Sequence, residues 1–318
     1  MSWLIHSLLL VSGVVVLAIG GEVLIRGAAR LARALGVSAL VVGLTVVAFG
    51  TSAPEAAVTI LAAGQGAPDL AVGNVVGSNI CNVLLIIGLA AAFRPLTVAG
   101  NLLRVDGPAM LVTSLAFLAV AWATHGIGRA VGACFVLGLI IYTYSTYRLG
   151  RATYVHQVEA VPVTGYARHA WYNVVLVVLG IAALIGGARL MVDGGVGLAR
   201  WLGVSERAIG LTIVAVGTSL PELATSVAAA RQRQPDIAIG NVVGSNIFNV
   251  LFVAGLAALI QPLPVSAAVL WWDGPLMMAA GVLFYIVAGT GRCVTRWEGF
   301  LLLSAYAGYL VWTGLHAG

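Results

Sequence analysis

Slid against itself by 167 residues, the 318-residue chain meets its own copy. Residues 43–91 align with 210–258 without a gap and are identical at 32 of 49 positions. The match runs outward on both sides. Gly36-Val37-Ser38 meets Gly203-Val204-Ser205, Pro95-Leu96 meets Pro262-Leu263, and Asp106-Gly107-Pro108 meets Asp273-Gly274-Pro275. Two copies of one pattern build two copies of one set of elements, which then pack against each other. The joint between them, residues 148–169, is the one long hydrophilic stretch and is too short to be a domain. The expected organisation is a first repeat over 1–147, a linker over 148–169 and a second repeat over 170–318.

The setting of that duplication is a bilayer. Only 8% of the residues are charged, 61% are hydrophobic and the mean hydropathy is +1.04. A soluble domain carries about 25% charged residues, so a soluble enzyme, a disordered chain and a nucleic-acid binder are all excluded as classes. Apolar blocks recur at about 20 residues, the length that crosses a membrane. Each repeat reads as five spans: 3–33, 38–64, 69–93, 105–124 and 127–147, then 170–200, 205–231, 236–260, 272–290 and 296–316. Residues 3–21 lack the basic flank and cleavage signal of a secretion leader and have a counterpart in the second half, so they count as span. Ser38 and Ser205 read as helix caps, and Pro68-Asp69 and Pro235-Asp236 as helix starts. Five is odd, so the second repeat enters from the opposite side. The expected fold is therefore an all-α polytopic membrane protein of ten transmembrane helices, arranged as two inverted-topology five-helix repeats. That plan is common among secondary transporters, whose sites lie near the midplane where the repeats meet.

The basic residues support this count. All 16 are arginine. Arg26, Arg30, Arg33, Arg94, Arg104, Arg148, Arg151, Arg168, Arg231, Arg233, Arg292 and Arg296 fall in or beside loops of one side. The other side has Arg129, Arg200 and Arg207, and Arg189 lies inside a span. The arginine-rich side faces the cytoplasm, which puts the 148–169 loop inside and both termini outside. The expected location is a prokaryotic inner membrane, with a multi-pass chain.

The 11 acids separate into those with a local account and those without. Asp69, Asp236, Asp106 and Asp273 read as helix-start residues favoured by the dipole. Glu206 follows a cap, Glu159 lies in the linker and Glu298 near an end. Glu22 with Arg26, and Arg189 with Asp193, have the i,i+4 spacing of an ion pair. Glu55 and Glu222 are left over. They are repeat mates, each sits inside a span, and neither has a basic neighbour within two helical turns. A charge at the bilayer centre costs about 2.5–3.5 kcal/mol on insertion scales, so the pair calls for a cation or a proton.

Their surroundings suit a cation. The segments are Gly50-Thr51-Ser52-Ala53-Pro54-Glu55 and Gly217-Thr218-Ser219-Leu220-Pro221-Glu222. The proline withholds the helical bond from the carbonyl four residues back, at Gly50 or Gly217. A broken helix at membrane depth is tolerated where it lines a polar cavity, and its free carbonyls are hard ligands of the kind Ca²⁺ takes. A second paired element is Gly73-Asn74-Val75-Val76-Gly77-Ser78-Asn79-Ile80-Cys81-Asn82, with its mate Gly240-Asn241-Val242-Val243-Gly244-Ser245-Asn246-Ile247-Phe248-Asn249. Asn74, Ser78 and Asn82 follow i,i+4,i+8, as do Asn241, Ser245 and Asn249, so each set makes a polar stripe on an apolar helix. Asn74 and Asn241 suit interhelical hydrogen bonding as well as they suit a site. Gly73 and Gly77 form a small-xxx-small pair for close helix approach. Two carboxylates with hydroxyls, amides and carbonyls could hold one Ca²⁺, which takes six to eight oxygens. The same negative cavity could hold several Na⁺ instead, so the two cations would compete.

The paired GTSxPE and GNVVGSNIxN segments resemble the two α-repeats of the cation/calcium exchanger superfamily, and are most similar to those of the prokaryotic sodium/calcium exchangers. The resemblance covers nearly the whole chain, without the long calcium-binding insert of animal exchangers. It implies Ca²⁺ binding at Glu55, Glu222, Thr51 and Thr218, and Na⁺ binding at Ser52, Ser219, Ser78, Ser245, Ala48 and Ala215, with Asn82 and Asn249 lining the site. It also implies alternating access, with the first and sixth helices sliding on the other eight. Archaeal members of known structure carry an aspartate where this chain has Asn249.

The function expected is secondary active antiport of Ca²⁺ against Na⁺ without ATP. The alternative is a Ca²⁺/H⁺ antiporter using the same glutamates. A passive cation channel fits inverted halves less well. An intramembrane enzyme would need a base beside its nucleophile, and no histidine lies mid-span. No GxxxxGK[ST] segment is present, so no nucleotide partner is expected. The ligands expected are the transported Ca²⁺ and Na⁺, with no cofactor and no nucleic acid. Cys81, Cys134 and Cys293 have no paired spacing and read as packing residues.

Overall fold

The computed structural model describes residues 2–155, 170–203 and 215–316. The first half begins with α1 (Ser2–Leu35), which Gly36 ends at φ +66°. Glycine takes that left-handed turn without the strain of a Cβ. Its mate Gly203 ends α7 (Ala170–Trp201) in the same way, at φ +79°. Next comes α2 (Ala39–Thr51), capped by Ser38, whose hydroxyl accepts from the Val41 amide at 3.4 Å. It meets α3 (Ala53–Gly64) at a bend of 47°, placed where Pro54 cannot continue the hydrogen-bond ladder. Then follow α4 (Pro68–Phe93), α5 (Leu102–Thr124) and α6 (Arg129–Val155). The second half repeats the series as α7, α8 (Ala215–Gly217), α9 (Leu220–Arg231), α10 (Pro235–Ile260), α11 (Val269–Gly289) and α12 (Arg296–His316). Both α4 and α10 open on a proline at the first helical position, where its missing N–H is of no consequence. Both carry a π-helical stretch, at Asn82–Ile87 and Asn249–Ala254. Among the described residues seven helices are long and apolar enough to cross a bilayer, and α2–α3 make an eighth as a bent pair.

The helices α4 and α10 form the centre. In their most apolar stretches 78% of residues are buried, against 33% for α1 and 22% for α6. The outer helices turn apolar side chains outward. Leu8, Val11, Val15 and Ile19 on α1, at helical spacing, are each half exposed or more. Such a face has no place in water, and it suits hydrocarbon. Trp122, Trp201, Trp271 and Trp297, near helix ends, are exposed too, as in an interfacial aromatic belt.

The halves join reciprocally. Short strands β1 (Leu96–Thr97), β2 (Gly126–Ile127), β3 (Leu263–Pro264) and β4 (Cys293–Val294) pair antiparallel as β1–β4 and β2–β3. Leu96 faces Val294, and Leu263 faces Ile127. A shift of 167 residues turns one pair into the other, which is the mark of an approximate two-fold relation. The repeat mates α1 and α7 pack antiparallel along their length, with Gly13 against Met191, Gly20 against Leu184 and Gly27 against Val177. A Cβ on Gly13 would lie 2.5 Å from the Met191 amide nitrogen, and one on Gly180 would lie 2.7 Å from that of Leu24. Glycine is therefore what lets these two backbones meet.

Several local expectations change. Asp106 does not start its helix: α5 already runs from Leu102, and Asp106 is buried inside it, accepting a bond from the Tyr142 hydroxyl of α6 at 3.0 Å. Asp273 likewise ends a π-helical stretch that begins at Val269. Glu22 and Arg26 pair at 2.5 Å. Arg189 and Asp193 form no ion pair; both are exposed on α7, and a base N-terminal to an acid is the weaker order for an i,i+4 pair. The helix α6 passes residue 147 and continues to Val155. The glycine-rich faces of the first and sixth spans pack mainly against each other. Gly240 and Gly244 meet Leu40, Leu44 and Ala48 closely; for their mates Gly73 and Gly77 the equivalent partners include Arg207 and Leu211, which lie outside the described residues. Ser205, Glu206, Arg207, Glu159 and Arg168 lie outside the described residues. Cys81, Cys134 and Cys293 are free thiols.

Candidate cation site

The bend between α2 and α3 puts Ser52 at the break and Glu55 in the first turn of α3. The same geometry puts Ser219 just before α9 and Glu222 in its first turn. Both glutamates are almost fully buried, at 1% and 0% exposure. Each is held from the opposite repeat. The Ser52 hydroxyl donates to Glu222 Oε1 at 2.9 Å, and the Ser219 hydroxyl donates to Glu55 Oε1 at 3.1 Å. This exchange brings the two carboxylates into one site. Ser245 also donates to Glu222 Oε1, at 3.4 Å.

A bond from a hydroxyl to a charged group is worth about 1.5–3 kcal/mol, so it offsets much of the burial cost of one carboxylate oxygen. The other oxygen has no such help. Among the described residues Oε2 of both glutamates is buried without a hydrogen-bond partner, and so are Oδ1 of Asn82, Oδ1 of Asn249 and Oγ1 of Thr218. Buried acceptors without a donor are rare in folded proteins. These five, two of them the carboxylates' own, are oxygens of the kind a hard cation uses. Among the described residues no group of three or more His, Cys, Asp or Glu could hold a metal ion. The unpartnered donors described beyond the two carboxylates, on Asn82, Asn249 and Thr218, are neutral oxygens.

The remaining expected residues divide. Asn74 donates to the Glu55 backbone carbonyl at 3.2 Å and to Thr59 Oγ1 at 2.9 Å. Asn241 does the same toward Glu222 at 3.3 Å and Ser226 at 3.1 Å. These two amides therefore fasten the glutamate-bearing helices to α4 and α10. Thr51 donates to Asn241 Oδ1 at 3.0 Å, so its hydroxyl belongs to this scaffold, while the Thr218 hydroxyl does not. The halves differ in the turn as well: the Ser52 amide bonds back to Ala48, four residues earlier, whereas the Ser219 amide bonds to Val216, three earlier. Ala48 and Ser78 are buried. Ala215 opens the short α8.

Sequence reasoning missed Asn79 and Asn246. They stand beside the i,i+4 stripe rather than on it, and they meet each other across the repeat interface: each side-chain amide donates to the other's backbone carbonyl, at 3.3 and 3.4 Å. Their identity in both copies was the available signal.

The family model "Sodium/calcium exchanger protein" matches twice, over residues 5–148 and 172–315. The chain belongs to the sodium/calcium exchanger family. The exchanger is 34% identical over 350 residues to the sodium/calcium exchanger MaX1 of Methanosarcina acetivorans, covering 96% of this chain and 98% of that protein. It is 34% identical over 327 residues to the inner membrane protein YrbG of Escherichia coli, covering 98% of this chain and 97% of that one. A solved structure of the sodium-calcium exchanger NCX_Mj, soaked with Na⁺ and Sr²⁺, superposes with a TM-score of 0.84 at 30% identity, covering 97% of this chain and 98% of that one. This exchanger is thus a multi-pass membrane transporter of the cation/Ca²⁺-exchange type.

Proposed function

We propose that the protein is a secondary antiporter that moves Ca²⁺ against Na⁺ by alternating access, on a fold of ten spans in two inverted five-helix repeats. The observation that carries this reading is the reciprocal Ser52–Glu222 and Ser219–Glu55 bonding, which joins two buried carboxylates, each with one unpartnered oxygen, near three more unpartnered oxygens. Two negative charges balance one Ca²⁺, and two or more Na⁺ would meet the same charge with a different oxygen set. In this reading Glu55, Glu222, Thr51 and Thr218 hold Ca²⁺, with the threonines contributing backbone oxygens. Ser52, Ser219, Ser78, Ser245, Ala48 and Ala215 serve Na⁺. Asn82 and Asn249 line the same space. The antiparallel packing of α1 on α7 supports the inversion, because the two helices are repeat mates. The arginine bias supports a cytoplasmic 148–169 loop with external termini.

The test is ⁴⁵Ca²⁺ uptake into proteoliposomes under an outward Na⁺ gradient. Uptake should follow that gradient and stop when Na⁺ is equal on both sides. Uptake that follows only an imposed pH gradient would instead assign Ca²⁺/H⁺ exchange to the same glutamates. Flux that needs no counter-ion would assign a channel.

A further inference from the structure

We propose that Asn79 and Asn246 are positioning residues, which hold the amides of Asn82 and Asn249 with their oxygens, rather than their NH₂ groups, turned into the cation site. The proposal rests on the site reading above.

Donor and acceptor chemistry fixes which end of each amide points where. Asn79 Nδ2 lies 3.3 Å from the backbone oxygen of Asn246, and Asn246 Nδ2 lies 3.4 Å from that of Asn79. A backbone carbonyl only accepts, so the end of each amide that meets it is the nitrogen. Met277 and Met110 sulfurs stand 3.6 Å from the same two nitrogens, and a thioether also only accepts. The oxygen of each amide is thereby sent to the other end, where it too can only accept. It receives Asn249 Nδ2 at 3.1 Å on Asn79 Oδ1, and Asn82 Nδ2 at 3.0 Å on Asn246 Oδ1. That assigns the nitrogen ends of Asn82 and Asn249 in turn. Their oxygens are the atoms left over, both buried and without a hydrogen-bond partner among the described residues. Asn249 lies one turn beyond Ser245, which reaches Glu222, and Asn82 lies at the repeat-equivalent place.

A carboxylate needs no such control, because its two oxygens are equivalent. An amide does. Unflipped, it offers a cation a hard oxygen; flipped, it offers two N–H groups. Four asparagines, paired crosswise between the repeats, make the correct rotamer the one in which each NH₂ group meets an acceptor. The role is therefore electrostatic orientation, carried out at one remove from the ion.

The test is a double-substitution cycle in proteoliposomes containing the full-length protein, read as the apparent KM for Ca²⁺ separately from the maximal rate. Uptake is driven by whichever gradient the transport assay selects. Asn246→Ala should raise the Ca²⁺ KM about fivefold, of the order expected when one amide loses its oriented hydrogen bond. In an Asn82→Ala background, which has no amide to orient, the same Asn246→Ala change should leave KM within about twofold. An equal rise in both backgrounds, or no rise in either, overturns the proposal and makes Asn246 a packing residue. Asn82→Ala is measured alongside. If it leaves the KM for both cations unchanged, the site reading has failed at Asn82, and the proposal falls with it for that separate reason. Size-exclusion profiles in detergent monitor folding. Should Asn246→Ala not fold, the repeat-mate cycle of Asn79→Ala with Asn249→Ala carries the same expectations.

Discussion

Glu55 and Glu222 each keep one oxygen satisfied by a serine of the other repeat and one oxygen bare. Glutamine in either position preserves the acceptor for that serine and removes the charge. Glu55→Gln or Glu222→Gln should therefore leave a folded protein, with thermal unfolding in detergent close to wild type, because a buried charge has been relieved. Ca²⁺ exchange should drop to background in both. Wild-type transport by either variant would remove that glutamate from the site. Asn249→Asp adds a possible charge beside them without adding volume. It should shift the Na⁺ or H⁺ dependence of exchange more than the Ca²⁺ affinity. An unchanged ion profile would make the amide at 249 irrelevant to ion choice.

Among the elements, the closest contact is the glycine seam between α1 and α7. A Cβ on Gly187 would sit 2.8 Å from the Leu17 amide nitrogen, while one on the adjacent Gly186 meets nothing within 4 Å among the described residues. Overpacking of a tight contact typically costs about 1–3 kcal/mol. Gly187→Ala should lower the unfolding temperature in detergent, and Gly186→Ala should not; equal effects would argue against a backbone-to-backbone seam. The bent α2–α3 pair has a different logic. Its proline and the serine at the break give the glutamate a first-turn position, where a helix end favours a carboxylate. The seam also bears on the sliding that the resemblance implies for the first and sixth spans, whose small residues meet across it. They join those two helices to each other, so any sliding on the rest of the molecule moves α1 and α7 as one unit.

For the whole molecule, the two-fold relation matters most. The strand pairs, the serine–glutamate bonds and the four-asparagine cross-link are all exchanged by the same shift of 167 residues. A site built on such an axis belongs to neither half. The membrane orientation proposed from the arginines has its own check. A protease site inserted into the 148–169 loop should resist external protease in right-side-out vesicles and be cut in inverted ones. The reverse pattern would overturn the assignment of the arginine-rich side.

Much of this was written along the chain. Duplication, helix starts at Pro68 and Pro235, the cap at Ser38 and the two stranded glutamates are all local or periodic signals, and periodicity is what a helix in a bilayer imposes. Other features depend on approach between distant segments. Ser52 stands three residues before Glu55 in the chain, but its bond goes to Glu222. Asn79 lies off the polar stripe of its own helix and becomes legible only when Asn246 stands opposite. Asp106 reads as a helix start until α6 brings Tyr142 to it. Residue type and spacing name the groups that need a partner; which group answers is decided by packing, since a hydrogen bond is made over about 3 Å of space and 3 Å carries no record of the residues between.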